Sequence, residues 1–228
     1  MIRRLGSWFL DLIWPRKCVV CRRILEKEPG FLCPDCRAGM PRPHPGPKRG
    51  ENYSGCVSVC SYEGAWRESL LRYKFGGKRA YARAYGPLLA EVIARELTGQ
   101  YDVITYIPLS KKRRRARGYD QARLLAEQTA LALGTEVRCL LRRRRHSPPQ
   151  SGFNSPAARR ANILGAYEAP DPDAVRGLNV LLIDDILTTG ATASEAARIL
   201  LQAGAASVVC AVFGLTPPKT AQDPPAAS

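Results

Sequence analysis

The fold is decided by the stretch Val180-Leu181-Leu182-Ile183-Asp184-Asp185-Ile186-Leu187-Thr188-Thr189-Gly190-Ala191-Thr192. Four apolar residues leading into two carboxylates predict a buried strand whose end opens onto a site. The residues that follow predict a helix over 193–203, and Gly204 just past its end suits a left-handed cap. The stretch is therefore a strand, an acidic edge, a loop large enough for a phosphate, and a helix.

The loop from Thr189 to Thr192 and the two carboxylates before it favour different parts of one ligand. Backbone N–H groups and hydroxyls at a helix N-terminus favour a phosphate, and Gly190 lets the backbone approach it closely. Asp184 and Asp185 repel a phosphate, but they accept hydrogen bonds from sugar hydroxyls or face a hard cation such as Mg²⁺. A sugar phosphate satisfies both requirements. The alternative, an ordinary Asp-rich turn with an N-cap, leaves two carboxylates that are costly to bury unpaired.

This stretch resembles the 5-phosphoribosyl-1-pyrophosphate (PRPP) motif of type I phosphoribosyltransferases. The resemblance implies that Asp184 and Asp185 hold the ribose 2′ and 3′ hydroxyls and that Mg²⁺ binds together with PRPP. It implies a cradle for the 5-phosphate made of Thr188, Thr189, Gly190, Ala191 and Thr192. Purine-using relatives place an Asp where this chain has Thr188, which argues against hypoxanthine or guanine salvage and leaves the acceptor open.

The positive charge of the chain is concentrated in one segment. The 228 residues carry a formal net charge of +15, and residues 111–160 hold 14 Lys and Arg against 3 Asp and Glu. Such a surplus predicts anionic partners, and pyrophosphate and nucleic acid both qualify.

A membrane-spanning helix is not predicted at any position. The apolar start from Leu5 to Trp14 is interrupted by Asp11 and stopped by Pro15, so it predicts an amphipathic segment, with a signal peptide as the weaker alternative. We therefore expect a cytoplasmic location.

Four cysteines near the start form a second motif. Cys18-x-x-Cys21 and Cys33-x-x-Cys36 are separated by eleven residues, and four thiolates at such spacing can surround one tetrahedral Zn²⁺. Such a site is structural, because no coordination position is left for substrate. Two disulfides or free thiols are the alternatives, and both are less favoured because nothing in the sequence suggests export to an oxidising compartment. The other cysteines are expected to be small buried side chains: Cys56, Cys60, Cys139 and Cys210.

The rest of the chain alternates predicted strands and helices, which indicates an α/β fold with a parallel sheet flanked by helices. Helices are predicted over 66–73, 85–98 and 121–133, and further strands over 55–62, 102–108, 137–141, 163–167 and 207–213. The expected organisation is an N-terminal amphipathic segment (1–16), a zinc-ribbon module (17–40), a linker (41–52), a phosphoribosyltransferase-like domain (53–216) and a disordered tail (217–228).

Parallel sheets bind ligands beyond the carboxyl ends of their strands, so the loops after Pro108, Leu141 and Ile183 are expected on one rim. The resemblance to type I phosphoribosyltransferases implies that residues 142–160 close over the pyrophosphate. It also implies a pyrophosphate loop formed by Ser110, Lys111, Lys112 and Arg113, with Lys111 and Arg113 acting in catalysis beside Asp184 and Asp185. The glycine turn 74–78 carries two lysines, which either touch phosphate or are solvated.

Two further stretches of the sequence resemble one particular family. With the four-cysteine module, Arg117-Gly118-Tyr119-Asp120-Gln121-Ala122 and the stretch from Gln150-x-x-Phe153 to Arg160-x-Asn162 resemble the ComF family of competence-associated proteins. Tyr119-Asp120 stands where Phe-Asn is usual. The resemblance implies partners in single-stranded DNA uptake, including proteins of the competence machinery. Two functions follow: transfer of a phosphoribosyl group to a nitrogen acceptor, or non-catalytic handling of single-stranded DNA.

Overall fold

The structure is a computed structural model and describes residues 15–26, 28, 30–43, 49–144 and 163–217. These residues form the strands β1 (Cys56–Ser61), β2 (Val103–Tyr106), β3 (Arg142–Arg143), β4 (Tyr167–Glu168), β5 (Asn179–Leu187) and β6 (Ser207–Leu215). Four of them make a parallel sheet in the order β1-β6-β5-β2, and β3 pairs with β4 in an antiparallel ribbon.

The helices are α1 (Pro34–Ala38), α2 (Gly64–Phe75), α3 (Ala82–Glu96), α4 (Lys111–Arg117), α5 (Gln121–Leu133) and α6 (Ala191–Gln202), with a short 3-10 turn at Arg79–Tyr81. Side chains from α2, α3 and α5 pack against one face of the sheet, and α6 packs against the other. The predicted parallel sheet flanked by helices is confirmed. Gly204 follows α6 with a φ of +100°, as its predicted role as a cap requires.

The apolar run that begins the diagnostic stretch lies at the centre of the core. Leu181 and Ile183 face one helical layer and Val180 and Leu182 face the other, each at most 1% exposed. Burial on both faces explains why this strand is apolar at every position and does not alternate. The strand continues past Ile183 through both aspartates to Leu187, so the carboxylates are strand residues at its carboxyl end.

Several local predictions were wrong. The basic stretch Lys111–Arg117 is a helix instead of a loop. Residues 137–141 do not form a strand: Val137 alone bridges to Ile104, and Cys139 is exposed instead of buried. The strand expected over 163–167 is reduced to β4. The other three cysteines outside the four-cysteine motif are buried as predicted.

Within the described residues, no helix is long and apolar enough to cross a membrane. The amphipathic segment from Leu5 to Trp14, the centre of the linker, the segment 145–162 and the tail after residue 217 lie outside the described residues.

Candidate functional site

The two adjacent carboxylates at the end of β5 have different surroundings. Asp185 is buried and its Oδ1 accepts a hydrogen bond from Lys74 Nζ at 3.0 Å. Asp184 Oδ1 accepts a hydrogen bond from its neighbour's backbone N–H at 2.8 Å. Burial and the charge of Asp185 raise the pKa of Asp184, and Lys74 opposes the shift. Asp185 is thus paired with a lysine, whereas the surroundings of the half-buried Asp184 disfavour its charged form.

Lys74 was not predicted to meet the acidic pair. The sequence of the glycine turn 74–78 predicts that Lys74 contacts a phosphate or solvent. In the structure, Lys74 instead contacts the carboxylate of Asp185. Its partner is 111 residues away in the sequence. A contact of this kind depends on tertiary packing, so the local pattern could indicate only that a cation is present.

The stretch Arg117–Ala122 fixes the end of α2 against the start of α5. The Tyr119 hydroxyl donates to the Tyr73 carbonyl, and the Tyr73 hydroxyl donates to the Gln121 carbonyl at 2.8 Å. Gln121 Nε2 donates to the Lys74 carbonyl at 3.3 Å. These reciprocal bonds hold the backbone of Lys74 in place, so that its side chain reaches Asp185.

Arg117 lies on the same side of the site. Its Nη1 donates to Gln121 Oε1 at 3.0 Å, and its guanidinium lies 4.7 Å from the centre of the Phe75 ring. Burial lowers the pKa of Arg117, and the charge of Asp185 opposes this shift. Arg117 therefore adds a second positive charge near the buried carboxylate.

Asp120, which replaces the usual Asn, links two elements. Its Oδ1 accepts from the Arg123 N–H at 3.3 Å and caps α5, and its Oδ2 accepts from the Leu109 N–H at 2.8 Å. Burial raises the pKa of Asp120. The Ile107 N–H also donates to the Ile183 carbonyl at 3.0 Å. The segment before α4 is thus held directly beside the carboxylate edge.

The predicted pyrophosphate residues occupy the start of α4. Ser110 is its N-cap, accepting from the Arg113 N–H at 3.2 Å, and Lys111, Lys112 and Arg113 are exposed. Burial raises the pKa of Tyr167 to about 12, and the charges that act on it include those of Arg143, Asp184 and Arg113. Arg113 and Asp184 thus both lie close enough to Tyr167 for their charges to act on it.

The arginines after Leu141 divide between two faces of the β3–β4 ribbon. Arg143 Nη1 donates to the Tyr167 hydroxyl at 3.0 Å. Arg142 and Arg144 instead pair with Glu168, at 3.9 and 3.1 Å. Of these three, Arg143 is the one that contacts Tyr167, the side chain on which the charge of Asp184 also acts. Residues 145–162 lie outside the described part, so closure of this segment over the site stays a prediction.

The predicted phosphate loop follows β5 directly. Gly190 caps α6 in a left-handed conformation, with a φ of +80°, and a Cβ there would lie 2.7 Å from the hydroxyl oxygen of Tyr53. Both the conformation and the close contact favour glycine. Thr188 and Thr189 are exposed, Ala191 and Thr192 begin the helix, and the Ala191 N–H contacts Thr189 Oγ1 at 3.4 Å.

The four cysteines of the N-terminal motif form one cluster. Their sulfur atoms all lie within 4.8 Å of one another, and the Cys21 and Cys33 sulfurs are 3.8 Å apart. A tetrahedral zinc site with Zn–S bonds of about 2.3 Å requires sulfurs about 3.8 Å apart. All eight cysteines are free thiols, so the geometry favours the zinc site over the two-disulfide alternative.

The acidity of one ligand also suits a metal. Burial alone would raise the pKa of Cys18, but hydrogen bonds from the backbone at Cys33, Cys21 and Val20 outweigh it and lower the pKa to about 7. A thiolate is the form that binds zinc. The cluster thus fits a structural zinc ion in residue type, number and geometry.

Comparisons with known proteins agree with these features. Residues 119–224 match the phosphoribosyl transferase domain family, and residues 9–48 match the double zinc ribbon domain family. The chain is therefore a protein with a phosphoribosyltransferase-type domain preceded by a zinc ribbon. Among solved structures, glutamine PRPP amidotransferase from B. subtilis aligns with a TM-score of 0.43 and 21% identity, over 63% of this chain and 30% of that one.

Two similar relatives identify the family. The chain is 31% identical over 201 residues to the DNA utilization protein YhgH of Salmonella typhimurium, covering 84% of this chain and 86% of the relative. It is 30% identical over 206 residues to the competence protein ComFC of Bacillus subtilis, covering 84% and 80%. The chain belongs to the ComF family, which includes ComFC and YhgH.

Proposed function

We propose that this protein binds PRPP with Mg²⁺ at the carboxyl end of β5 and transfers its phosphoribosyl group to a nitrogen acceptor, releasing pyrophosphate. One observation carries the proposal: the Asp184–Asp185 pair near the end of β5 is followed, after residues 186–189, by Gly190, which caps the start of α6. Sugar-hydroxyl acceptors and a phosphate-sized loop thereby adjoin each other, as a ribose 5-phosphate requires.

The charges around this edge suit the rest of the substrate. Lys74 Nζ contacts one oxygen of Asp185 at 3.0 Å, and the other carboxylate oxygen can accept a hydrogen bond from a ribose hydroxyl. Lys111, Lys112 and Arg113 begin a helix whose preceding segment is tied to the same edge through Asp120. Pyrophosphate leaving from C1 of the ribose would meet this positive charge, which stabilises it as its negative charge develops.

The reaction needs little covalent help from the protein. The C1–O bond breaks with its electron pair on the departing pyrophosphate, the acceptor nitrogen forms the new C1–N bond, and that nitrogen releases its proton to the solvent. Mg²⁺, which prefers carboxylate and phosphate oxygens, would neutralise the pyrophosphate, with Asp184 and Asp185 as the available donors. The chain's own residues orient the ribose and hold the phosphates in line with the acceptor.

Calorimetric titration of Mg-PRPP tests the proposal. The Asp184→Asn, Asp185→Asn double variant should bind at least about tenfold more weakly, because it lacks both charged acceptors. The matched control is Asp171→Asn, Asp173→Asn, which removes two exposed carboxylates from the loop before β5. Equal affinity in the wild type and the first variant would refute the ribose contact. Release of pyrophosphate in the presence of an added amine or base then tests transfer.

A second candidate function, the handling of single-stranded DNA, is favoured by α4. Six of its seven residues are basic, and within the described part of the chain Lys111, Lys112, Arg114 and Arg115 form no ion pair. An exposed helix of unpaired cations is suited to a nucleic-acid backbone. The relatives' names, DNA utilization protein and competence protein, point the same way and make proteins of the competence machinery candidate partners.

The salt dependence of oligothymidylate binding tests this second function. Changing Lys111, Lys112, Arg114 and Arg115 to Ala should reduce the slope of log K against log salt by about 0.7 for each phosphate that the variant no longer neutralises. The control changes four exposed arginines on other elements, Arg67, Arg83, Arg95 and Arg176, to Ala. If the α4 variant and the control variant reduce the salt slope equally, α4 makes no specific contact with DNA.

A further inference from the structure

Phe75 is an exposed aromatic side chain at the edge of the candidate site. It is the last residue of α2 and is 65% exposed, although most large apolar side chains among the described residues are buried. The preceding residue is Lys74, which contacts Asp185. The ring therefore lies one residue from the contact proposed to face the ribose.

Arg117 supports this ring from the protein side. Its guanidinium lies 4.7 Å from the ring centre, and Gln121 fixes the arginine through a 3.0 Å hydrogen bond. The same Gln121 holds the Lys74 carbonyl. Gln121 thus positions both Lys74 and, through Arg117, the ring of Phe75.

The ring is open to solvent outside its contact with Arg117, since Phe75 is 65% exposed. Gly76 and Gly77 follow it in the chain, so no side chain projects from the next two positions. An exposed aromatic ring with an arginine partner is suited to stacking a planar base, because the ring supplies a π-face and the guanidinium strengthens the interaction.

We propose that Phe75, backed by Arg117, is a stacking platform for the base of a nucleotide whose ribose phosphate occupies the Asp184–Asp185 edge. This inference rests on the proposed function and names its substrate class: the nitrogen acceptor is a planar heteroaromatic base, and the product is a nucleoside monophosphate. Aliphatic amines and ammonia would gain nothing from the ring.

The experiment compares ligands that differ by the base alone. Dissociation constants of ribose 5-phosphate, AMP and UMP are measured by calorimetry with Mg²⁺ for the wild type, Phe75→Ala, Phe75→Leu and Phe75→Trp. At least one nucleotide should bind the wild type more tightly than ribose 5-phosphate by about 5- to 150-fold, the range of base–aromatic stacking. Phe75→Ala and Phe75→Leu should reduce this ratio to near one with ribose 5-phosphate unchanged, and Phe75→Trp should preserve it.

The control is Leu131→Ala, another exposed apolar side chain, 72% exposed on α5, which should leave the ratio intact. If ribose 5-phosphate binds but neither nucleotide binds more tightly, or if Phe75→Ala leaves the ratio unchanged, the platform is wrong while the sugar-phosphate site stands. If ribose 5-phosphate itself fails to bind, the proposed function falls and the platform with it. If Phe75→Ala weakened the binding of oligothymidylate but not that of AMP or UMP, the ring would bind single-stranded DNA, and its proposed role in binding a nucleotide would be wrong.

Discussion

Two aspartates that are adjacent in sequence have different energetic roles. Asp185 is compensated by Lys74, whereas the surroundings of Asp184 disfavour its charge. The proposed function accounts for this cost, because the Asp184 carboxylate would be available to the ligand. The dependence of both groups on Lys74 makes this lysine the key residue at the acidic edge.

The coupling between Lys74 and Asp185 is open to a double-mutant cycle. Lys74→Met should destabilise the fold by about 1–3 kcal/mol, because it leaves a buried carboxylate without its partner. Adding Asp185→Asn removes that charge and should restore part of the stability, so we expect a coupling energy of about 0.5–3 kcal/mol. Urea denaturation of the four proteins measures it. If the changes in unfolding free energy of the two single variants simply add in the double variant, the 3.0 Å contact between Lys74 and Asp185 contributes no net stability.

Asp184 should make stability depend on pH. Its pKa is raised in the folded chain above the unfolded value of about 3.9. The folded state therefore binds the proton more tightly, and the free energy of unfolding falls as the pH rises above about 4. Asp184→Asn lacks this penalty and should be more stable near neutral pH by about 0.5–2 kcal/mol.

Thermal denaturation across the range from about pH 4 to about pH 8 checks the sign. The advantage of the Asn variant should shrink toward zero as the pH falls. A difference that is the same at every pH would mean that the titration of Asp184 is not its cause.

At the scale of elements, the accuracy of sequence prediction depended on which interactions form each element. The helix over 121–133 was predicted at its observed ends, because its cap, apolar spacing and closing glycine are all local signals. The strand containing Val180–Ile183 was equally clear, since burial on both faces leaves an apolar run.

Helix α4 was missed because six like charges in seven residues argue against a helix. It forms because Ser110 caps its start and Gly118, with a φ of +77°, closes its end. Cys139 was misplaced because its apolar neighbours suggested a full strand. In residues 137–141, Leu140 and Leu141 are buried and Val137 is partly buried against the core, whereas Cys139 is exposed. Both outcomes depend on the caps and on the packing around each segment.

Asp120 joins α5 to the segment before α4, which makes its replacement by the family's usual Asn informative. Both carboxylate oxygens accept backbone N–H groups, whereas an amide offers one oxygen and turns its NH₂ toward a donor. Asp120→Asn should cost about 1–2 kcal/mol in urea denaturation. Asp171→Asn is the control, because that exposed residue accepts one N–H, from Ala174, and should change stability by a few tenths at most, about 0.3 kcal/mol. A neutral Asp120→Asn would show that the Leu109 contact is dispensable.

At the scale of the whole molecule, the cysteine module and the larger domain share one core. Cys18, Val19, Val20, Leu25 and Cys33 belong to the same apolar cluster as the inner faces of α2 and α3. Arg72 Nη2 donates to the Val19 and Val20 carbonyls at 3.2 and 2.6 Å, and the Ser69 hydroxyl donates to Val19 at 2.5 Å. Since Arg72 and Lys74 both lie on α2, the cysteine module stabilises the helix whose Lys74 contacts Asp185.

Removal of zinc should therefore weaken the entire fold instead of one appendage. We expect the metal-loaded protein to unfold in a single calorimetric transition, because the two parts bury a common core. A chelator should lower the transition temperature and increase amide exchange both in residues 17–25 and in α2. The reason is that Arg72 of α2 donates hydrogen bonds to the carbonyls of Val19 and Val20, which lie between the proposed zinc ligands Cys18 and Cys21. Arg37→Ala, which breaks an exposed ion pair between the module and Glu91, is the control and should cost at most about 1 kcal/mol. Two separate transitions, or exchange that rises in the cysteine segment while α2 stays protected, would show that the module folds independently and leaves Lys74 unsupported by the metal.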